Sequence, residues 1–302
     1  MKLGFIGFGE AGYSIAEGLK KEGLKDITAY DVALENEQYK PLIEKRAQES
    51  GVTIVKKIES IFESDIIFSA LPADVALTSL KNIKEDIKKN QLYIDVSAAD
   101  PNDKRSMQVI VNNKHALFVD GAMTGRLVVD KHKVPILASG TGVDQFIEKM
   151  SRYNMNIKKV SDNAGDATSI KLIRSIFMKG YAVLCIEMLE AAKKLEVDNL
   201  VIEGISHTMN DRNFENSMNK LVTGTSIHSR RRSVELEGTL DLLKELGVNS
   251  IMSNAVSEKL KLITSYGLKE EFKGQPPEDW SQVINSIINI ENSKNKRGTG
   301  GI

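Results

Sequence analysis

The segment Gly7-Phe8-Gly9-Glu10-Ala11-Gly12 spaces three glycines as G-x-G-x-x-G, and Asp31 stands 19 residues beyond the last of them. Each position has its own chemistry. Gly7 admits a tight turn. Gly9 has no side chain, so the backbone can approach a pyrophosphate. Gly12 lets a following helix pack closely. A helix opening at this point offers free N–H groups and a positive dipole end to phosphates, which adds Glu10 and Ala11 to the expected contacts. Asp31 would accept hydrogen bonds from the adenosine ribose hydroxyls and repel a 2′-phosphate, so NAD is expected ahead of NADP. Leu71 and Pro72, closing the apolar run around Ile66-Ile67-Phe68, are read as further cofactor contacts. A flavin would use a similar turn, but such enzymes need a much longer chain to wrap the ring system.

A second cluster, His228-Ser229-Arg230-Arg231-Arg232, puts three arginines and a histidine within five residues. Read plainly it is a solvated helix start. Read functionally it recognises an anion through guanidinium forks. Neighbouring helical residues point about 100° apart, so the arginines cannot all face one ligand; Arg231, with His228 near it, is expected to do so. The single cysteine, Cys185, can form no internal disulfide and no multi-cysteine zinc site, and no metal is expected. It lies in an apolar helical run, where inert burial is expected.

These residues need elements to position them. Residues 2–7, 26–31, 64–71, 92–96, 116–119 and 134–138 read as strands, and 11–22 as the helix behind the glycine turn. Strand and helix in alternation predict a parallel sheet covered on both faces. From residue 166 to 195 the apolar positions Ile170, Ile173, Phe177, Tyr181, Leu184, Met188 and Ala191 recur in steps of three or four. That is one helix of roughly 45 Å. Helices are predicted after it at 199–208, 213–221, 231–246, 253–264 and 278–290, with Pro276 and Pro277 opening the last. The fold class is therefore α/β, a Rossmann domain over 1–162, followed by an all-α domain over 163–291 and a mobile tail over 292–302.

Composition sets the limits. Hydrophobic residues at 41% and charged residues at 27% describe a globular chain, and 302 residues suit two domains. Lys+Arg and Asp+Glu both total 41, so the net charge is zero. No global attraction to nucleic acid or an anionic membrane follows, and neither partner is expected. No run reaches 18 apolar residues, and the stretch 3–8 is too short for a secretory signal, so a cytoplasmic location is expected.

Four motifs in order give a resemblance over nearly the whole chain to the β-hydroxyacid dehydrogenase family, which includes 3-hydroxyisobutyrate and 6-phosphogluconate dehydrogenases. The glycine turn is the first. Asp95-Val96-Ser97-Ala98-Ala99-Asp100-Pro101 is similar to D-x-S-T-x-x-P. Asp120-Gly121-Ala122-Met123-Thr124-Gly125-Arg126 is similar to D-A-P-V-S-G-G. Gly165-Asp166-Ala167-Thr168-Ser169-Ile170-Lys171 is similar to G-x-G-x-x-x-K. The chain departs from the pattern at Thr124 for serine, at Arg126 for the second glycine and at Ser175 for the asparagine of K-x-x-x-N. Aligning Gly247-Val248 on the family's Gly-Val puts Val234 and Glu235 where Lys and Asp are usual. The arginine cluster followed by Glu235 resembles a little-characterised branch whose C-terminal domain is like that of phosphogluconate dehydrogenase.

The resemblance implies that Lys171 is the general acid/base, beside an expected cleft between the domains. Lys171 is otherwise a surface lysine on a face shared with Arg174, Ser175 and Lys179. Thr124 and Gly125, at a strand end, offer a hydroxyl and backbone N–H groups to a substrate carboxylate. Ser97 would touch the nicotinamide ribose, its amide or the substrate, or cap the next helix; Ser175 is placed at the substrate. The expected function is NAD-dependent hydride transfer with a small β-hydroxy acid or sugar-acid-like anion, phosphorylated or not. Oxidation at the β-position gives a β-keto acid that loses CO₂ readily, so decarboxylation is open. The alternatives are an imine reductase, a branch that generally lacks the lysine, and a dinucleotide-binding sensor or scaffold without turnover. The resemblance also implies a homodimer through the helical domain, with the Arg231 region of one chain reaching the other's site.

Overall fold

The computed structural model describes residues 1–210 and 212–298. The chain divides into two compact units, Met1–Ile176 and a second beginning at Phe177. The first is built on strands β1 (Leu3–Ile6), β2 (Ile27–Tyr30), β3 (Thr53–Ile54), β4 (Ile66–Ser69), β5 (Leu92–Asp95), β6 (Leu117–Met123), β7 (Ile136–Ser139) and β8 (Ile157–Ser161). They form one sheet in the order β3-β2-β1-β4-β5-β6-β7-β8. Helices α1 (Glu10–Lys21), α2 (Lys40–Ser50), α3 (Ala73–Ile83), α4 (Pro101–Asn112), α5 (Leu127–Asp130) and α6 (Val143–Met150) connect them. The strand order reverses between β1 and β4, the switch point at which open α/β sheets bind ligands.

Both sheet faces are covered. Leu3, Phe5, Ile66, Phe68 and Ile94 join one buried cluster. Ile6, Ile67, Tyr93 and Phe118 join another. This is the strand alternation of period two, with apolar residues on both faces. Phe5 and Phe68 are paired across β1 and β4, and their rings stack at 5.2 Å.

The α/β expectation for this unit holds, with two differences. β7 runs antiparallel to β6, so the sheet is mostly rather than wholly parallel. β3 and β8 were not marked by the sequence: β3 has two residues, and β8 carries Lys158 and Lys159 in place of an apolar run.

The second unit is helical, as expected. α7 (Asp166–Lys194) enters it, followed by α8 (Asp198–Asn210), α9 (Phe214–Glu245), α10 (Ile251–Ser265), α11 (Leu268–Glu271) and α12 (Trp280–Gly298). The predicted pair 213–221 and 231–246 is one helix of 32 residues. Residues 292–298, expected in a mobile tail, continue α12, and 299–302 lie outside the described residues. The division between units falls within α7, at 176/177 rather than 162/163. Cys185 is half-exposed rather than buried. Among the described residues no helix is long and apolar enough to cross a membrane.

Candidate functional site

The glycine turn joins β1 to α1, and its three glycines are constrained differently. Gly7 has φ +90°, and a Cβ there would stand 2.6 Å from the Ala70 carbonyl oxygen. A Cβ on Gly12 would stand 2.3 Å from the Gly7 oxygen, so the helix closes directly on the turn. At Gly9 nothing lies within 4 Å of that position. The space over the Gly9 peptide is therefore open, at the N-cap of a helix that has no side-chain cap. Backbone donors without an internal acceptor, on the positive end of a helix and under open space, fit a bound pyrophosphate.

Asp31 follows β2, next to the turn. Its Oδ2 accepts from the Phe8 N–H at 2.7 Å and its Oδ1 from the Ala33 N–H at 2.8 Å. A carboxylate has about four acceptor positions, so it holds the turn and still has capacity for ribose hydroxyls. Arg46 reaches the other side of the same residue, donating to the Phe8 carbonyl at 3.3 Å. Leu71 stands against Gly7, its Cδ2 3.1 Å from where a Cβ would be, and Pro72 is the N-cap of α3. Glu10 is exposed and Ala11 half-buried in the first turn of α1.

Farther along the sheet, Ser97 is turned inward. Its hydroxyl donates to Asp95 Oδ1 and accepts from the Ala99 N–H at 3.3 Å. Thr124 sends both its N–H and its hydroxyl to the Pro135 carbonyl, at 2.9 and 3.2 Å. A Cβ on Gly125 would stand 2.7 Å from Pro135 Cδ, so that turn has no room for a side chain.

The sequence reading missed the groups that fix this row. Lys104 is fully buried. Its Nζ bonds Asp95 Oδ1, and the Asp95 and Ser97 carbonyls at 3.1 Å each, and lies 3.4 Å from Asp120 Oδ1. Asp120 in turn accepts from the Gly165 and Thr168 N–H groups at 3.0 Å and from the Thr168 hydroxyl at 2.6 Å. A carboxylate thus caps the start of α7, and one buried ammonium ties it to the Ser97 loop. The signal was present: Lys104, Met107 and Val111 share the buried face of α4 at steps of three and four.

Lys171 stands half-buried about one and a half turns into α7, with Ser175 four residues on, on the same face. Arg174, three residues after Lys171, donates to the Thr124 carbonyl at 2.9 Å. That bond joins the Thr124 turn to the face of α7 carrying Lys171.

His228 and Arg231 belong to the helical unit. They line a cavity of about 580 Å³ with Arg230, Thr264, Lys269 and Glu270. Arg231 is exposed and lies 3.6 Å from Glu235 Oε1. His228 also lines a second cavity of about 540 Å³, and there the arginine present is Arg232. His228 thus lines one cavity with Arg231 and another with Arg232.

Residues 2–99 match the family described as NADP oxidoreductase, coenzyme F420-dependent, and residues 192–263 match a domain of unknown function, DUF1932. A solved structure of a conserved protein of unknown function, described as structurally similar to 3-hydroxyacid dehydrogenases, is 28% identical. It covers 88% of this chain and 97% of its own, with a TM-score of 0.59. The mitochondrial 3-hydroxyisobutyrate dehydrogenase of Drosophila melanogaster is 22% identical over 86% of this chain and 80% of its own. An imine reductase variant from Myxococcus stipitatus, solved with NAD+, shares the fold at a TM-score of 0.70 and 12% identity, over 95% of this chain and 98% of its own. The chain thus combines an oxidoreductase-type nicotinamide-dinucleotide-binding domain with a DUF1932 domain, and it resembles the 3-hydroxyacid dehydrogenases as the four motifs implied.

Proposed function

We propose that this oxidoreductase uses NAD to interconvert a small β-hydroxy acid, or a similar sugar-acid-like anion, with its carbonyl form, and that Lys171 is the general acid/base. The observation that carries the reading is the glycine turn: an uncapped helix start under open space at Gly9, with Asp31 at the end of the neighbouring strand. When bound, the nicotinamide supplies the hydride acceptor or donor. The chain's own residues hold and move the proton. A hydroxyl placed against Lys171 Nζ gives its proton to the amine in oxidation and regains it in reduction. The Arg174 guanidinium, on the same stretch of α7, supplies positive charge for the substrate carboxylate beside the Thr124 turn. Ser97 acts by holding its loop, since its hydroxyl is engaged with Asp95 and Ala99.

The test is NADH formation with a panel of phosphorylated and unphosphorylated hydroxy acids, read by absorbance. Turnover of at least one, lost in Lys171→Ala, is expected. NAD binding with no turnover of any acid would move the chain to the class of dinucleotide-binding sensors.

A further inference from the structure

The second cavity of the helical unit has no part in the proposed hydride transfer. Four of its lining residues, Lys220, Gly224, His228 and Arg232, stand four apart on α9 and so form one stripe along the helix. Arg212, before α9, also lines the cavity. Acidic residues are absent from the described lining.

Arg232 is the centre of the argument. Its guanidinium folds back along the helix, and Nη1 donates to the Thr225 hydroxyl. Nη2 lies 3.3 Å from where a Cβ on Gly224 would stand, so the glycine gives it room to lie down. It is half-buried, yet among the described residues no carboxylate lies within ion-pair distance. Arg231, next in sequence, does have one, and is exposed. Withdrawing a guanidinium from water beside other cations is unfavourable unless an anion compensates it.

We propose that this cavity binds the phosphoryl group of a small metabolite. A phosphoryl dianion concentrates two charges and three acceptor oxygens on one tetrahedral centre. It can therefore accept from the Arg232 fork, the Lys220 ammonium and the Ser217 hydroxyl together. A carboxylate has one charge and one plane. The volume, about 540 Å³, lies in the ordinary range for small-ligand sites. The proposal does not depend on hydride transfer or on Lys171.

Calorimetric titration of the full chain with inorganic phosphate, in phosphate-free buffer and with NAD saturating to occupy the glycine turn, tests it. Saturable binding is expected, weakened at least tenfold in Arg232→Gln and in Lys220→Gln and unchanged in Lys171→Ala. Lys220 is exposed, so its variant reports on the site even where Arg232→Gln disturbs the helix. No saturable binding by the wild type, or equal binding by both cavity variants, overturns the site. Malonate binding as tightly as phosphate overturns the phosphoryl assignment.

Discussion

Cofactor choice rests on Asp31. Its carboxylate is fixed by two backbone N–H groups and cannot swing away from an incoming 2′-phosphate without releasing the Phe8 turn. NADH should therefore bind at least about tenfold tighter than NADPH, a difference of about 1.4 kcal/mol. Asp31→Ala should narrow the ratio, as read by nucleotide fluorescence; tighter NADPH binding by the wild type would remove Asp31 as the selector. Lys171 should act on turnover rather than on cofactor affinity. Acid–base groups contribute about 10² to 10⁴ in rate, so Lys171→Ala should lose at least about 10² in kcat/KM with NADH affinity unchanged. A variant with wild-type rates would exclude the lysine. At this scale the sequence made the glycines and Asp31 legible, because their spacing is short and each role is local. It singled out Arg231, whereas the proposed phosphoryl site uses Arg232, because Glu235 pairs with the one and Gly224 makes room for the other, and neither contact is visible in the spacing. Nor did it find Lys104, whose two acidic partners arrive from separate strands.

Helix ends carry the next level of organisation. Glu187, buried on α7, accepts from the N–H groups of Met252 and Ser253 at 2.8 and 2.9 Å, at the start of α10. Burial alone would push its carboxyl up; the Ser253 side chain and the two N–H groups outweigh it and hold the carboxyl below its usual range. A depressed carboxyl stabilises the fold above its unfolded pKa of about 4.3, and that contribution is lost as pH falls through the lower folded value. Glu187→Gln should cost about 1 kcal/mol near pH 7, the scale of a helix cap. Urea unfolding at stepped pH should show the gap to wild type closing below about pH 4. A gap constant down to pH 3 would mean that the carboxylate charge is not what caps α10. Elements with strong periodicity, such as α7, were legible from sequence. α9 was read as two helices because Thr223, Gly224, Thr225 and Ser226 interrupt it with weak helix formers. The helix nevertheless runs through this segment, with the hydroxyls of Thr223 and Thr225 bonded to carbonyls one turn back, at 2.9 and 2.6 Å.

For the whole molecule, burial is uneven. The sheet unit has two large buried clusters, while among the described residues the helical unit has a small one, Tyr266, Leu268 and Val283, with scattered buried residues such as Ile227 and Leu243. The same unit leaves large apolar side chains in water: Ile186 is 64% exposed on α7 and Leu200 70% on α8. Exposed apolar surface of this extent on a unit with so small a core is stabilised when another surface covers it. A second copy of the chain is the simplest cover, since two-fold pairing satisfies the same face on both partners. We therefore propose a homodimer built on α7 and α8, burying on the order of 1,600 Å² or more in total. Sedimentation equilibrium at micromolar concentration should give a species of twice 33.4 kDa. Ile186→Arg should shift it toward the single chain and lower the Tm of the helical unit, because a guanidinium at that position could not be buried without a partner. A wild-type species at 33.4 kDa would sink the dimer, and with it any contribution of Arg231 to a neighbouring chain's site.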